Sequence, residues 1–335
     1  MSNAAILVQV WRGSHLESAH RGHGVVCDAR GTIRAAWGDP AAIIYPRSSC
    51  KMLQALPLLE SGAGRELSSE RLALACASHQ GAQIHVERVA RWLADLDLSE
   101  SDLRCGAQVP DDKTERHRLR DSNDAPTQLH NNCSGKHTGF LMLARHLRAS
   151  PDYVDPAHKV QRDVRTAFEE MTGLESPGYG IDGCAAPNFL TTVHGLAHAM
   201  ARMADPSGLG AVREAAVRRL NAAMLGHPLL VAGERRACTE LMEASGRTAI
   251  AKTGAEGVFT AILPRQGLGV ALKVEDGHRR ASECAIAAIL ARLGVLSPQD
   301  PAVARRLTPP VTNRIGSTVG RIAPEPAFWS DGTPL

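Results

Sequence analysis

The sequence predicts an α+β fold in which strands from both ends of the chain form one antiparallel sheet and the middle forms a helical lobe. Two observations predict it. Runs of high β-propensity fill residues 5–37 and return at 247–274, whereas helical periodicity dominates between them. If the terminal strands pair with one another, the cleft between sheet and helices is a natural place for an active site.

Three runs near the N-terminus predict strands: I-L-V-Q-V-W, G-V-V-C-D and T-I-R-A-A-W. Residues 12–14 and 28–31 carry glycine and polar side chains, which favour hairpin turns between them. Three more strands are predicted near the C-terminus, at residues 247–252, 258–263 and 269–274. Together these segments supply the predicted sheet.

Amphipathic periodicity predicts the helices of the middle segment. The first opens near Ser48 and ends or kinks at Pro57. The remaining helices are predicted at 67–77, 85–96, 134–147, 157–172, 187–204, 209–224, 235–244 and 281–293. The polar segment 107–130 is predicted to be a loop with a short helix.

We therefore expect a single catalytic domain over residues 1–296, with the sheet at about 5–37 and 247–274 and the helical part at about 48–244. The tail over 297–335 is rich in proline and glycine, which predicts irregular structure.

Composition narrows the class of protein. A chain of 335 residues with 44% apolar and 22% charged residues can form a sizeable core. A net charge of +3 with scattered arginines gives little support to nucleic-acid binding. The N-terminus shows no leader pattern, so we expect no signal peptide. No apolar run reaches the about 18–20 residues that a membrane span needs. We expect a cytoplasmic protein whose eight cysteines are reduced.

Ser48 and Lys51 form an S-x-x-K pair in the stretch Y-P-R-S-S-C-K. Residues three apart on a helix lie on one face, with Cβ atoms about 5–6 Å apart. A lysine with a lowered pKa can activate a serine nucleophile, and Arg47 would help to keep Lys51 neutral. The spacing alone favours the ordinary alternative, a capped helix with a solvated lysine.

Two further stretches strengthen the catalytic interpretation. A-K-T-G-A-E-G places Lys252 at the end of a predicted strand, and serine acyl-enzymes with S-x-x-K often carry a later K-T-G on a strand lining the cleft. A-C-A-S-H-Q-G places Ser78 after an apolar helix as a second hydroxyl for the cleft. The ordinary alternative for Lys252 is a hairpin with a solvated lysine, and that for Ser78 is a helix C-terminus.

The segments H-N-N-C-S-G-K-H and G-I-D-G-C form a third feature. Cys133, Lys136 and His137 lie within one helical turn, and Cys184 follows Asp182 in a glycine loop. Two thiolates with a nearby nitrogen or oxygen donor suit Zn²⁺. Buried structural cysteines are the commoner case, but the dense polar context favours a site.

These segments, in this order and over nearly the whole chain to about residue 293, resemble the bacterial asparaginase II family of the Rhizobium etli inducible-asparaginase type. The resemblance implies a fold like that of serine β-lactamases and penicillin-binding proteins, a homodimer, and hydrolysis of L-asparagine to L-aspartate and ammonia. It also implies two Ser–Lys tandems, Ser48 with Lys51 and Ser78 with Lys252, beside a zinc site formed by Cys133, Lys136 and Cys184.

The expected reaction is therefore acyl transfer from L-asparagine to Ser48, with backbone N–H groups near Ser48 stabilising the oxyanion. Arg47 is a candidate for binding the substrate α-carboxylate. Zinc is expected to position substrate rather than to be strictly required for the chemistry. The other candidate substrate-binding residues are His79, His137 and Asp182.

Two alternatives stay open at this point. A β-lactam or D-amino-peptide hydrolase would use the same serine chemistry, but its substrates lie outside the cytoplasm. A non-catalytic zinc or thiol-binding protein would need the cysteines and would have no use for two Ser–Lys pairs.

Overall fold

Strands from the two ends of the chain pair in one antiparallel sheet in the computed structural model, which describes residues 3–326. The predicted α+β class is thus confirmed. The strands, in chain order, are β1 (Ala5–Arg12), β2 (His15–Asp28), β3 (Ile33–Trp37), β4 (Ile43–Ile44), β5 (Tyr179–Ile181), β6 (Pro187–Phe189), β7 (Thr191–Thr192), β8 (Ile250–Thr253), β9 (Val258–Leu263), β10 (Leu268–Val274), β11 (Pro310–Thr312) and β12 (Thr318–Pro324).

The main sheet has the order β11-β12-β1-β2-β10-β9-β8, and β3 pairs with β2 beside this path. Every pairing is antiparallel. Val26 of β2 faces Val270 of β10, and Lys252 of β8 faces Thr260 of β9. The expected pairing of N-terminal with C-terminal strands is therefore present, and it carries the K-T-G segment on β8.

The helices, in chain order, are α1 (Lys51–Gln54), α2 (Leu56–Glu60), α3 (Ser69–Ala75), α4 (Gln83–Ala94), α5 (Lys113–Asp121), α6 (Ser134–His146), α7 (Lys159–Thr172), α8 (Val193–Ala204), α9 (Ala211–Gly226), α10 (Pro228–Val231), α11 (Ala237–Ala244), α12 (Arg279–Arg292) and α13 (Pro301–Leu307). Ser68 caps α3 by accepting a hydrogen bond from the Arg71 N–H. Most predicted helices are present within a few residues of the expected bounds.

The described chain divides into two compact units. The first contains the residues up to Ser49, Thr191–Asp205, and those from Glu240 onward, and the second contains Cys50–Leu190 and Pro206–Thr239. The single catalytic domain expected over residues 1–296 stays a prediction. Periodicity identifies the type of each element, but it does not show that segment 191–205 belongs with the sheet.

The prediction of an irregular tail from residue 297 is wrong for much of that segment. It contains α13, β11 and β12, and β12 pairs with β1 so that Ile322 faces Val10. Proline and glycine usually mark irregular chain, but here they flank or lie within β11 and β12. The last part of the predicted tail, 327–335, lies outside the described residues.

Two helix predictions also need correction. The helix expected over 187–204 starts only at Val193, because residues 187–189 and 191–192 form β6 and β7. Ser48 does not lie in an α-helix. It lies in a 3₁₀ turn, Arg47–Cys50, and α1 begins directly afterwards at Lys51. Short strands and 3₁₀ turns have no periodicity long enough to read.

The first unit packs its sheet against α8 and α12. The closest approach is at Gly269 on β10, where a Cβ atom would lie 2.1 Å from the Ala201 nitrogen and 2.3 Å from the Ala197 oxygen on α8. Only glycine lets the backbones of strand and helix come this close. Phe259 and Leu272, both fully buried, belong to the apolar core of this unit.

The second unit is built around α3, which packs against α4, α6, α9 and α10. A Cβ atom at Gly135 would lie 2.5 Å from the Leu74 oxygen, so the first turn of α6 contacts the backbone of α3. Trp92 and Phe168 are buried in this core. The segment that carries Cys133, Lys136 and His137 is therefore held inside the unit.

Among residues 3–326, no helix combines the length and apolarity that crossing a bilayer requires.

We predict that Gly269→Ala lowers the free energy of unfolding by roughly 1–3 kcal/mol, because the added methyl group overpacks the contact between β10 and α8. The matched control is Gly226→Ala on α9, where a Cβ atom would meet no heavy atom within 4 Å. Denaturant unfolding followed by circular dichroism measures both. Equal stability of the two variants would contradict the packing described for Gly269.

Candidate active site

The Ser48 turn belongs to the first unit and is tightly held. Arg47, directly before it, has a φ of 54°, a left-handed conformation that side chains rarely adopt. The Ser49 hydroxyl donates to the Pro46 oxygen at 2.7 Å, and the Ser49 oxygen accepts from the Thr260 hydroxyl at 3.1 Å. Ser48 itself is half-buried. The strained turn thus presents a serine from a fixed backbone.

The K-T-G segment lies against this turn within the same unit. A Cβ atom at Gly254 would meet the Pro46 oxygen at 2.8 Å and the Ser49 nitrogen at 3.3 Å, so glycine permits the approach. The Thr260 hydroxyl hydrogen-bonds to the Lys252 oxygen at 3.2 Å as well as to the Ser49 oxygen. Two motifs about 200 positions apart in the sequence therefore meet, as K-T-G of a serine acyl-enzyme should.

Lys252 is almost completely buried, with 1% of its surface exposed. Its Nζ donates to the Thr253 oxygen at 2.9 Å. An amine held under the strand end in this way is not the solvated lysine of the ordinary alternative.

Lys51 is equally buried in the second unit. Its Nζ donates to the Ala77 oxygen at 2.5 Å and to the Asn132 oxygen at 3.4 Å. These carbonyls come from the segments that carry Ser78 and Cys133. The structure therefore brings Lys51, the Ser78 segment and the start of α6 together inside one unit.

Ser78 follows α3 on a turn whose backbone is engaged. Its N–H donates to the Val231 oxygen at 2.9 Å, so this group is not available to an oxyanion. The next residue, His79, is buried, and its Nε2 lies 2.9 Å from the Ser134 hydroxyl. Ser78 therefore offers its side chain from a fixed turn.

Cys133, Lys136 and Cys184 also come together in the second unit, and all three are buried. The Lys136 Nζ lies 3.2 Å from the Cys184 sulfur. Cys184 lies in the loop of the β5–β6 hairpin, where Ala185 has a φ of 66° and Asp182 accepts a hydrogen bond from the Gly183 N–H. The predicted donor set is thus gathered from two distant segments.

The charges of this cluster depend on one another. A hydrogen bond from Cys133 and the nearby Lys136 hold the pKa of Cys184 well below that of an ordinary thiol, although burial opposes this. The same hydrogen bond, together with burial, raises the pKa of Cys133. Burial would lower the pKa of Lys136, but Cys184, Cys133 and Asp182 raise it. The positive charge of Lys136 and the contact between the two sulfurs thus favour deprotonation of Cys184 over that of Cys133.

This donor set fits three corners of a tetrahedral Zn²⁺ site, which takes sulfur and nitrogen ligands. Within the described residues, no group of three His, Cys, Asp or Glu side chains could hold a metal, so such a site needs the Lys136 amine. Lys136 would have to lose its proton to become a ligand, as would Cys133.

His137 lies beside this cluster on α6 and is fully buried. Its Nδ1 is 3.0 Å from the Tyr153 hydroxyl, and the ring also interacts with the Cys184 sulfur. Burial lowers the pKa of His137 to about 4, although the Cys184 sulfur opposes the shift. The ring is therefore neutral near pH 7. Its predicted contact with substrate stays a prediction.

Sequence reasoning missed two residues that organise these groups. Thr260 carries a signal in retrospect, because it is the polar residue in the otherwise apolar strand V-F-T-A-I-L. Tyr153, which also accepts from the Arg104 N–H at 2.8 Å, lies in a loop with no pattern that distinguishes it. Cys133 and Cys184 are far apart in the sequence, so their spacing alone gives only weak support to a metal site.

The Asparaginase_II family, described as L-asparaginase II, matches residues 8–324 of the chain. The comparison with curated proteins found no match. Among solved structures, the chain is similar to a beta-lactamase from Mycobacterium bovis, with 15% identity, coverage of 81% of this chain and 94% of that chain, and a TM-score of 0.44.

A second solved structure is Mglu in its glutamate form, with 13% identity, coverage of 82% of this chain and 61% of that chain, and a TM-score of 0.48. Both similarities are too distant to carry an argument about activity. The family match, in contrast, spans almost all of the described residues, and it includes both Ser–Lys pairs and the cysteine cluster. The chain therefore belongs to the L-asparaginase II family.

Proposed function

We propose that this protein is an L-asparagine amidohydrolase of the Rhizobium etli inducible type, which releases L-aspartate and ammonia through an acyl-enzyme on Ser48. The observation that carries the proposal is the contact of the K-T-G strand end with the Ser48 turn in a chain of this family. A solvated lysine and an ordinary helix cap would not need this contact.

In the first step, the Ser48 hydroxyl attacks the side-chain amide carbon of asparagine while Lys51 accepts the hydroxyl proton. A bond forms between the serine oxygen and the amide carbon. The Ala77 and Asn132 oxygens, which accept hydrogen bonds from the Lys51 Nζ, stabilise the ammonium group that results.

In the second step, the carbon–nitrogen bond breaks and the nitrogen leaves as ammonia with the proton taken from Ser48. The Ser78 hydroxyl and Lys252 form the second tandem and relay this proton. Because the Ser78 N–H is bonded to Val231, the hydroxyl is the group that Ser78 contributes. Water then attacks the acyl carbon, and the ester bond to Ser48 breaks. One proton of the water goes to the Ser48 oxygen, and the remaining hydroxyl completes the side-chain carboxyl group of L-aspartate.

The oxyanion of both steps is stabilised by backbone N–H groups near Ser48. The Ser49 N–H is not one of them, because it donates to the Pro46 oxygen at 3.2 Å. Arg47 is the proposed partner of the substrate α-carboxylate, since its guanidinium group can donate two parallel hydrogen bonds. His79, His137 and Asp182 remain the other candidate contacts with substrate.

We also propose that Cys133, Lys136 and Cys184 hold Zn²⁺, with Asp182 nearby and water completing the shell. Bound zinc would supply a Lewis acid that positions and polarises the substrate. The support is the gathering of these three buried donors and the lowered pKa of Cys184. The chemistry at Ser48 and Lys51 does not require a proton from this cluster.

A cytoplasmic location and a homodimer complete the proposal. All eight cysteines are free thiols, in keeping with a reducing compartment. The homodimer follows from the family resemblance, and light scattering of the purified protein tests it.

We predict that Ser48→Ala reduces the kcat for ammonia release from L-asparagine by at least about 10³-fold, because the acyl-enzyme cannot form. Ser150→Ala, the same exchange at an exposed serine, should retain full activity. A coupled ammonia assay measures both.

Activity retained in Ser48→Ala and lost in Ser78→Ala would instead make Ser78 the nucleophile. If the wild-type protein hydrolyses nitrocefin and releases no ammonia from asparagine, the amidohydrolase proposal fails and the β-lactam alternative replaces it.

We predict that Cys184→Ala weakens Zn²⁺ binding by more than about 100-fold, because loss of a ligand should cost at least as much as loss of a residue that only orients one. Cys27→Ala removes a buried thiol of the first unit and serves as the control. Isothermal titration with Zn²⁺ measures the affinity. Equal affinities of the two variants would contradict the proposed ligand set.

A further inference from the structure

His79 lies between the proposed proton-relay residue Ser78 and Gln80, yet no proton-transfer step proposed above uses its ring. The side chain is 1% exposed, so it is as buried as Lys51. A buried imidazole beside a reacting hydroxyl needs hydrogen-bond partners, and these partners define what the ring can do.

The partners fix the tautomer of His79. The Gly81 N–H donates to Nδ1 at 3.2 Å, so Nδ1 carries no proton. Nε2 therefore carries the proton and donates it to the Ser134 hydroxyl at 2.9 Å, and Ser134 in turn donates to the Leu129 oxygen at 3.0 Å. This chain of hydrogen bonds joins the Ser78 turn to the first residue of α6. Both ring nitrogens are used within the unit.

The surroundings of the ring oppose its protonation. His79 stacks on His85 of α4, with ring centroids 4.8 Å apart and planes at 8°. Burial is the main cause that holds the pKa of His79 well below its ordinary value. Electrostatic interactions with His85 on α4, Lys51 on α1, His130 before α6, and Arg236 lower it further. An added proton on Nδ1 would also face the Gly81 N–H.

Other contacts hold the backbone of the same turn. The Ala77 oxygen accepts from the Lys51 Nζ, and the Ser78 N–H donates to Val231. Gly81 has a φ of 72°, and a Cβ atom there would lie 2.7 Å from the His130 oxygen. With residues 77, 78 and 81 held in this way, the ring of His79 supplies a side-chain connection from this turn to Ser134 of α6.

We propose that the Nε2–H tautomer of His79 is a positioning element that fixes the Ser78 hydroxyl relative to Lys51 and to the first turn of α6. Its kinetic consequence rests on the proposed amidohydrolase function. The ring acts through Ser78, and it neither donates a proton to the substrate nor accepts one from it.

The kinetic test compares two substitutions of His79. His79→Leu removes the hydrogen bond to Ser134, and we expect kcat to fall about 10²-fold, as for a misplacement of about 1 Å, with KM changed less than about threefold. His79→Gln keeps a side-chain N–H for Ser134, and we expect kcat within about tenfold of the wild type with an unchanged shape of the pH–rate profile.

A double-mutant cycle tests the hydrogen bond between the two residues. It adds Ser134→Ala and the double variant that combines His79→Gln with Ser134→Ala. If the two residues act through one hydrogen bond, the double variant should lose no more activity than Ser134→Ala alone. His194→Gln in the first unit, where the ring bonds to the Gly31 oxygen, is the matched control and should keep full activity. This cycle does not need His79→Leu and remains decisive if that variant fails to fold.

Two results would overturn the proposal. If His79→Leu and His79→Gln lose equal amounts of kcat, and one limb of the pH–rate profile disappears, His79 is an acid–base catalyst. Unchanged kcat in His79→Leu, with turnover that still depends on Ser48, would show that the ring does not position Ser78.

A second readout does not depend on activity. Nitrogen-15 NMR of the wild type should show a proton on Nε2 and none on Nδ1 between pH 5 and 8, and His79→Leu should speed amide hydrogen exchange at Ser78 and Gly81. If the wild type releases no ammonia, the proposed function fails. The NMR and hydrogen-exchange measurements still test whether His79 holds the Ser78 turn. A proton on Nδ1 or unchanged exchange would overturn the positioning role.

Discussion

The antiparallel pairing of β2 with β10 is the constraint on which the first unit depends, because it joins the two ends of the chain in one sheet. β10 pairs with β9, and β9 holds both β8 and the Thr260 hydroxyl that bonds to Ser49 and Lys252. A register slip of one residue would turn Thr260 to the other face of the sheet. The contact between the Ser48 turn and K-T-G therefore requires the register of the whole sheet.

Two buried lysine side chains organise the second unit. Two lysines that would be costly to bury alone have partners there: carbonyl oxygens for Lys51 and the Cys184 sulfur for Lys136. The carbonyls belong to the segments before Ser78 and Cys133, so satisfying Lys51 also fixes both segments. One set of hydrogen bonds thus stabilises the fold and arranges the candidate catalytic and metal-binding groups.

Much of the fold could be predicted because its elements are long and periodic. α7 and β9, for example, match their predicted bounds closely. The errors occur where local pattern is weak or misleading. Ser48 lies in a turn too short to show a period, residues 187–192 form two short strands, and β12 follows a segment rich in proline and glycine. In each case pairing or packing with a distant segment decides the structure, and a single sequence does not contain that partner's position.

The sequence by itself determined which residue types are available at the site: two Ser–Lys pairs, a K-T-G strand end, and Cys133, Lys136 and Cys184. Motif order also determined the family. Tertiary structure decided what these groups do to one another, because burial and hydrogen bonding depend on segments far apart in the chain. The low pKa of Cys184, the strained backbone before Ser48 and the single tautomer of His79 all follow from contacts that no local pattern encodes.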